Sequence, residues 1–226
     1  MKRFYKQVSV TPERGILLDA RPVKTPAKAL LLLPNDALAE AVADEWRAQE
    51  TDINPHVMPI TGLANAAIDR MTPEFTAGLA AYGESELLCY RAADPPELVA
   101  REAAVWDPIL DWAQSRYDVG FTKVTGIMHQ SQPAETLKRL AAALSAYGPF
   151  HIAALSPIVT ISGSLVIALA VAEYRLEPDA AFDSAHLDEL WQAEQWGEDY
   201  FATETRDAHR TDFLAACRFL RLLDRG

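Results

Sequence analysis

The apolar residues of this 226-residue chain change their spacing once, near residue 35, and that change limits the fold more than any single motif. Before it, apolar residues come in short runs bounded by turn formers. Phe4, Gln7 and Val8 lie in a β-prone run that ends near Pro12, and Glu13-Arg14-Gly15 reads as a turn. Ile16 to Asp19 forms a second strand, Ala20-Arg21-Pro22 a tight connection into Val23, and Leu30 to Leu33 a buried strand stopped by Pro34. After it the period is helical almost throughout. Asn35 or Asp36 caps a helix reaching about Glu50, with Leu38, Val42 and Trp46 recurring every four residues as its apolar stripe. Further helix starts fall at Thr61, at Thr72-Pro73-Glu74 and after Asp94-Pro95-Pro96, where Pro108 is expected to bend or divide the helix. Val119 to Met128 reads as an extended insertion, and Gln132-Pro133 opens the next helix. Two apolar helices follow, at about 150–160 and 164–176, separated at Ser162-Gly163. Pro178 then precedes a long helical region interrupted at Gly197. The expected fold is α+β: a small β-rich N-terminal domain with one helix, residues 1–58, followed by a larger all-helical orthogonal bundle, residues 59–226.

Charge narrows the partners. The net charge is −11, yet residues 1–30 hold seven Lys or Arg against two acids, which leaves −16 on the rest. An acidic body repels phosphate backbones, so nucleic acid is not an expected partner. The basic front is open to two readings, an electrostatic docking face or the solvated outer positions of a small sheet. The longest apolar run, Ile158 to Ala172, is interrupted by Thr160, Ser162, Gly163 and Ser164 and is shorter than a bilayer span, so no membrane insertion is expected. Cys89 and Cys217 are far apart and fit a reducing compartment. The basic N-terminus lacks the apolar stretch of a secretory signal, and strand-like sequence begins at once. No signal or transit peptide is therefore expected, and a bacterial cytoplasm is the expected location.

Catalytic chemistry has no obvious seat. The ten glycines match no phosphate-binding pattern, and Ser162-Gly163-Ser164 reads as a helix–helix turn with a serine cap rather than an anion seat. Asp183, His186 and Glu189 recur at three-residue spacing, which reads as a solvated helix face and not a metal site. Both cysteines sit in apolar helical context, as inert packing thiols do. No enzyme, metal or cofactor is expected; the competing reading is a small-molecule enzyme with a site in an interdomain cleft. Trp46, Trp106 and Trp112 read as core. Trp196, followed by a glycine and then acids, reads as a surface or rim feature.

Seven segments, in order, resemble a known family. They are RFYKQVSV at 3–10, LLDARPVKTP at 17–26, EWRAQE at 45–50, MPITGLANAAIDR at 58–70, ELLCYRA at 86–92, WDPILDW at 106–112, and Gln192-x-x-x-Trp196-Gly197. The chain is similar to the assembly chaperones that handle the α subunit of the F-type ATP synthase head. The resemblance implies a β-rich N-terminal domain followed by a helical bundle and no catalysis. It also implies binding of the free α subunit, preventing its aggregation until the β subunit displaces the chaperone. A free monomer is expected. The partner-binding residues it implies are Gln192, Trp196, Gly197, Glu198 and Asp199. Members of the family place an acid about four residues beyond the tryptophan; here that position is Tyr200, and Glu198 or Asp199 is expected to supply the carboxylate.

Overall fold

The structure, a computed structural model, describes residues 1–225. Its contacts form two compact units. One comprises Met1–Thr72, Gly148–Ala154 and the segment from Ala215 onward; the other comprises Pro73–Tyr147 and Leu155–Leu214.

The first unit opens with an antiparallel meander of β1 (Val8–Val10), β2 (Ile16–Leu18) and β3 (Arg21–Pro22), in that spatial order. Two tight turns set its register. Arg14 takes a left-handed φ of 64° within the β1–β2 turn, and Asp19 takes 55° after β2. The Asp19 carboxylate accepts from the backbone N–H groups of Gln7 and Lys6 at 2.9 and 3.0 Å, which holds its pKa below the ordinary value. Alternation follows the pleat: Ile16 and Leu18 are buried and Leu17 is half-buried. Leu30 to Leu33 departs from the expected buried strand. Leu31 and Leu33 are buried, but Leu30 and Leu32 are exposed, and only isolated bridges, Lys24↔Leu30 and Gly15↔Leu32, tie the segment to the sheet. A continuous apolar run is the same whether one face or both are covered, so its composition hid the alternation.

α1 (Asp36–Arg47) packs on β1 and β2 through Leu38, Ala39, Val42 and Ala43, all wholly buried. Trp46, expected as core, is only half-buried, its ring edge-on to Tyr5. The Glu45 carboxylate accepts from the N–H groups of Ile60 and Thr61 and from the Thr61 hydroxyl, at 2.7–2.8 Å, and so holds the start of α2 (Pro59–Asp69). Asn35 serves two helices. Its Oδ1 accepts from Leu38 N at 2.8 Å, capping α1, and its Nδ2 donates to the carbonyls of Leu222 and Leu223 at 2.9 and 2.8 Å. Those carbonyls end α10 (Tyr200–Leu223). An N-cap contributes ~1 kcal/mol and each hydrogen bond about another. Asn35→Ala is therefore expected to lower unfolding stability by ~3 kcal/mol in a urea titration; a loss below ~1 kcal/mol would show that one of the two roles is absent.

The second unit is helical: α3 (Pro73–Ala80), α4 (Pro96–Tyr117), α5 (Ala134–Ser145), most of α6 (Pro149–Ser162), α7 (Leu165–Ala172), α8 (Pro178–Ala185), α9 (Leu187–Trp196) and the first part of α10. α4 is continuous through Pro108 rather than divided there, and its neighbours hold it: Arg91 pairs with Asp107 at 2.7 Å, and Trp106 Nε1 donates to Ser184 O at 2.8 Å. Trp106 is core as expected, whereas Trp112 is half-buried. The extended stretch after α4 forms β5 (Val124–Thr125), parallel to β4 (Tyr90–Arg91). α7 is apolar all round and buried from Leu165 to Val171, which makes it the centre of this unit. No helix among the described residues is long and apolar enough to cross a membrane.

Candidate partner-binding surface

The α9–α10 junction is built around a glycine. Gly197 has φ 88° and ψ 163°, a conformation essentially restricted to glycine, and its N–H closes α9 on Ala193 O at 2.9 Å. Asp199 then starts α10: its Oδ1 accepts from Ala202 N at 2.9 Å and its carbonyl accepts from Thr203 N at 2.9 Å, the geometry of an N-cap. Glu198 accepts from Arg206 Nη2 at 3.0 Å and from the Thr203 hydroxyl at 3.2 Å. Arg206 also reaches Glu189 on α9 at 3.2 Å, so one largely enclosed guanidinium bridges the two helices.

This frame holds aromatic rings in solvent. Trp196, Tyr200 and Phe201 are 75%, 73% and 75% exposed. The rings meet edge-to-face in two pairs, Trp191 with Trp196 at 5.6 Å and Tyr200 with Phe201 at 5.5 Å. Gln192, one turn before Trp196, is exposed, and its side chain makes no hydrogen bond among the described residues. Exposed aromatic surface of this density is unusual outside interaction sites.

The five expected residues thus lie at one junction, with different tasks. Trp196 and Gln192 offer free surface, Gly197 makes the turn, and Glu198 and Asp199 already serve internal bonds. Tyr200 and Phe201 stand exposed beside them, and three aromatics within six residues around one glycine are the sequence signal of this surface. Asp199→Ala is expected to cost ~1 kcal/mol through the lost cap, and Glu198→Gln less than that, because Glu198 is itself exposed and Arg206 keeps its pairing with Glu189. Urea unfolding measures both, and an Asp199→Ala variant as stable as the parent would rule out the capping role.

The polar groups at 183–189 and at the Ser162–Ser164 break are held by internal partners. Asp183, His186 and Glu189 do not share a helix, because α8 ends before His186 and α9 begins after it. Asp183 pairs with Arg210 at 3.0 Å, Glu189 with Arg206, and His186 Nδ1 lies 2.9 Å from Phe182 O. At the Ser162–Ser164 break, Ser164 caps α7 through Ile167 N at 2.9 Å, the turn-and-cap arrangement. The anion at that helix terminus is internal: the fully buried Glu86 carboxylate accepts from Val166 N at 3.1 Å. Burial pushes its pKa up to about 7. Glu102, also fully buried, lies in the α4 stripe between Leu98 and Trp106; burial and the neighbouring Asp188 carboxylate of α9 raise its pKa. Burial likewise pushes the Cys89 thiol up to about 12, so it stays a thiol. No group of His, Cys and carboxylates among the described residues is arranged to hold a metal ion.

Comparison with known proteins places these features in a family. The profile described as "ATP12 chaperone protein" matches residues 2–114. The crystal structure of Atp12 from Paracoccus denitrificans superposes with a TM-score of 0.93 at 36% identity, covering 98% of each chain. Atu1473 of Agrobacterium tumefaciens, proposed to be a chaperone, superposes with a TM-score of 0.91 at 44% identity, over 98% of this chain and 86% of that one. The mitochondrial protein atp12 of Schizosaccharomyces pombe is 25% identical over 231 residues, 93% of this chain and 77% of its own.

Proposed function

Because the chain belongs to the ATP12 chaperone family, we propose that it is an assembly chaperone for F-type ATP synthase, acting in the bacterial cytoplasm. It binds the free α subunit and keeps it from aggregating until the β subunit takes its place. The observation that carries this reading is the aromatic surface at the α9–α10 junction, where Trp196, Tyr200 and Phe201 stand exposed on a frame whose own polar groups are satisfied. A ring subunit without its neighbour exposes an obligate interface, which is more apolar than ordinary protein surface. Covering three rings removes roughly 400 Å² of mostly apolar surface from water, on the order of 10 kcal/mol before association costs. That surplus can hold a client and still release it to a larger interface.

In this reading Gln192 and Trp196 contact the client together with Tyr200 and Phe201. Gly197, Glu198 and Asp199 fix the junction, and the outer faces of the two carboxylates add charge to its rim. The test is specificity between the two homologous ring subunits. Size-exclusion chromatography of the protein mixed separately with purified α and β subunits is expected to give a stoichiometric complex with α and none with β. Equal capture of both, or of neither, refutes the assignment.

A further inference from the structure

A proline in one helix and the end of another meet at a cavity in the second unit. Pro108 has no N–H, so the Ala104 carbonyl, one turn back in α4, lacks its ordinary helical donor. The end of α7 lies across the same cavity and is closed by a Schellman arrangement. Tyr174 takes a left-handed φ of 55°, its N–H donates to Val171 O at 3.1 Å, and Arg175 N donates to Ala170 O at 2.8 Å. The chain thereby doubles back and carries Arg175 over Ala170. Together with α8 these turns enclose about 300 Å³. Ala170 and Ile109 are buried at its floor, and Ala104, Pro108, Arg175 and Ala180 are exposed at its mouth.

Arg175 is the one charged residue among the described residues of the lining, and its guanidinium makes no hydrogen bond or ion pair with any of them. The acids nearest in sequence are engaged elsewhere or stand off the cavity. Asp107 pairs with Arg91 and Lys123, Glu173 with Arg116 and the Tyr117 hydroxyl, and Asp179 and Asp183 with Arg210. Glu177 is outside the lining. The Ser184 hydroxyl, which is in it, already donates to Ala180 O at 2.6 Å. A visitor therefore meets an apolar hollow, one unpaired cation at its mouth and one backbone acceptor in its wall.

We propose that this cavity captures the C-terminal residue of a peptide chain that ends in an aliphatic side chain. Each feature has its counterpart in that residue. The side chain fills the hollow, the terminal carboxylate pairs with Arg175, and the amide N–H of the same residue donates to the Ala104 carbonyl. Ligand cavities range upward from roughly 300 Å³, so this volume suits one residue rather than a long segment. A free fatty acid supplies the apolar body and the carboxylate but has no N–H for the carbonyl. An aliphatic residue inside a chain has no carboxylate of its own for Arg175. The cavity shares no residue with the aromatic junction, and the proposal does not depend on the client assigned above.

The experiment measures fluorescence anisotropy of the peptide Gly-Ser-Gly-Ser-Gly-Leu, labelled at its N-terminus, titrated with the full chain. The free-acid peptide is expected to bind, and the same peptide with a C-terminal amide at least tenfold more weakly. Arg175→Gln removes the cation and Ala180→Leu fills the mouth; each should weaken the free acid at least tenfold. Both positions are exposed, and circular dichroism checks each fold, so either variant alone keeps the test intact. Octanoate should displace the peptide only at concentrations at least tenfold above those of the unlabelled peptide. Replacing Trp196, Tyr200 and Phe201 by serine should leave this binding unchanged, which separates the result from the fate of the client assignment. Equal binding of acid and amide, binding of neither, or binding that survives both cavity variants overturns the proposal. So does displacement by octanoate as effective as that by the unlabelled peptide, which makes a free fatty acid the occupant.

Discussion

Simultaneous replacement of Trp196, Tyr200 and Phe201 by serine is expected to reduce capture of the α subunit at least a hundredfold while leaving the melting temperature within a few degrees of the parent. The three rings are about three-quarters exposed, so removing them takes little from the folded state. The bonds that shape the junction lie elsewhere, at Gly197 N, Asp199 and the Glu198–Arg206 pair. A buried aromatic anchor contributes 2 kcal/mol or more to a complex, so three together exceed a hundredfold even when not additive. Isothermal titration against the purified subunit reads the loss directly. A triple variant that binds as tightly as the parent would remove this surface from the mechanism.

Stability is expected to fall as pH rises through neutrality, the reverse of what an acidic protein with surface ion pairs ordinarily shows. Burial raises the pKa values of Glu45, Glu86 and Glu102, the Glu86 value to about 7. A raised carboxyl pKa means that the native state keeps a proton the unfolded chain has already released. Its contribution is therefore present near the unfolded value and is lost as pH climbs through the folded one. For Glu86 alone the loss between pH 5.5 and 8.5 is roughly 2 kcal/mol. Asp19, Asp107 and Glu194 are shifted the other way by hydrogen bonds and partner cations, and their contribution is lost only at lower pH. Urea titrations at the two pH values should show the decline, and Glu86→Gln should flatten it whatever it does to absolute stability. A parent protein equally stable at both would mean that Glu86 ionises without cost.

The elements that the sequence revealed are those whose signals are local. Asn35 capping α1, proline opening α3 and α4, and Gly197 ending α9 each act within one turn of the chain. Trp196 was legible as a rim residue because a glycine and acids follow it. The hidden features depend on distant partners. Nothing near Asn35 announces that it also holds the last carbonyls of α10, nor that residues 148–154 belong with the N-terminal unit. Glu86 and Glu102 read as ordinary acids among 32, although one ends up against the start of α7 and the other beside Asp188. Tyr200 stands where the resemblance implies an acid. Its ring, with that of Phe201, enlarges the surface that Trp196 begins.

Light scattering of dilute, freshly purified α subunit warmed alone and with an equimolar amount of this protein tests the central claim most directly. The account predicts that scattering is suppressed and that added β subunit then releases the α subunit into a larger assembly. Identical scattering traces with and without the protein would contradict it.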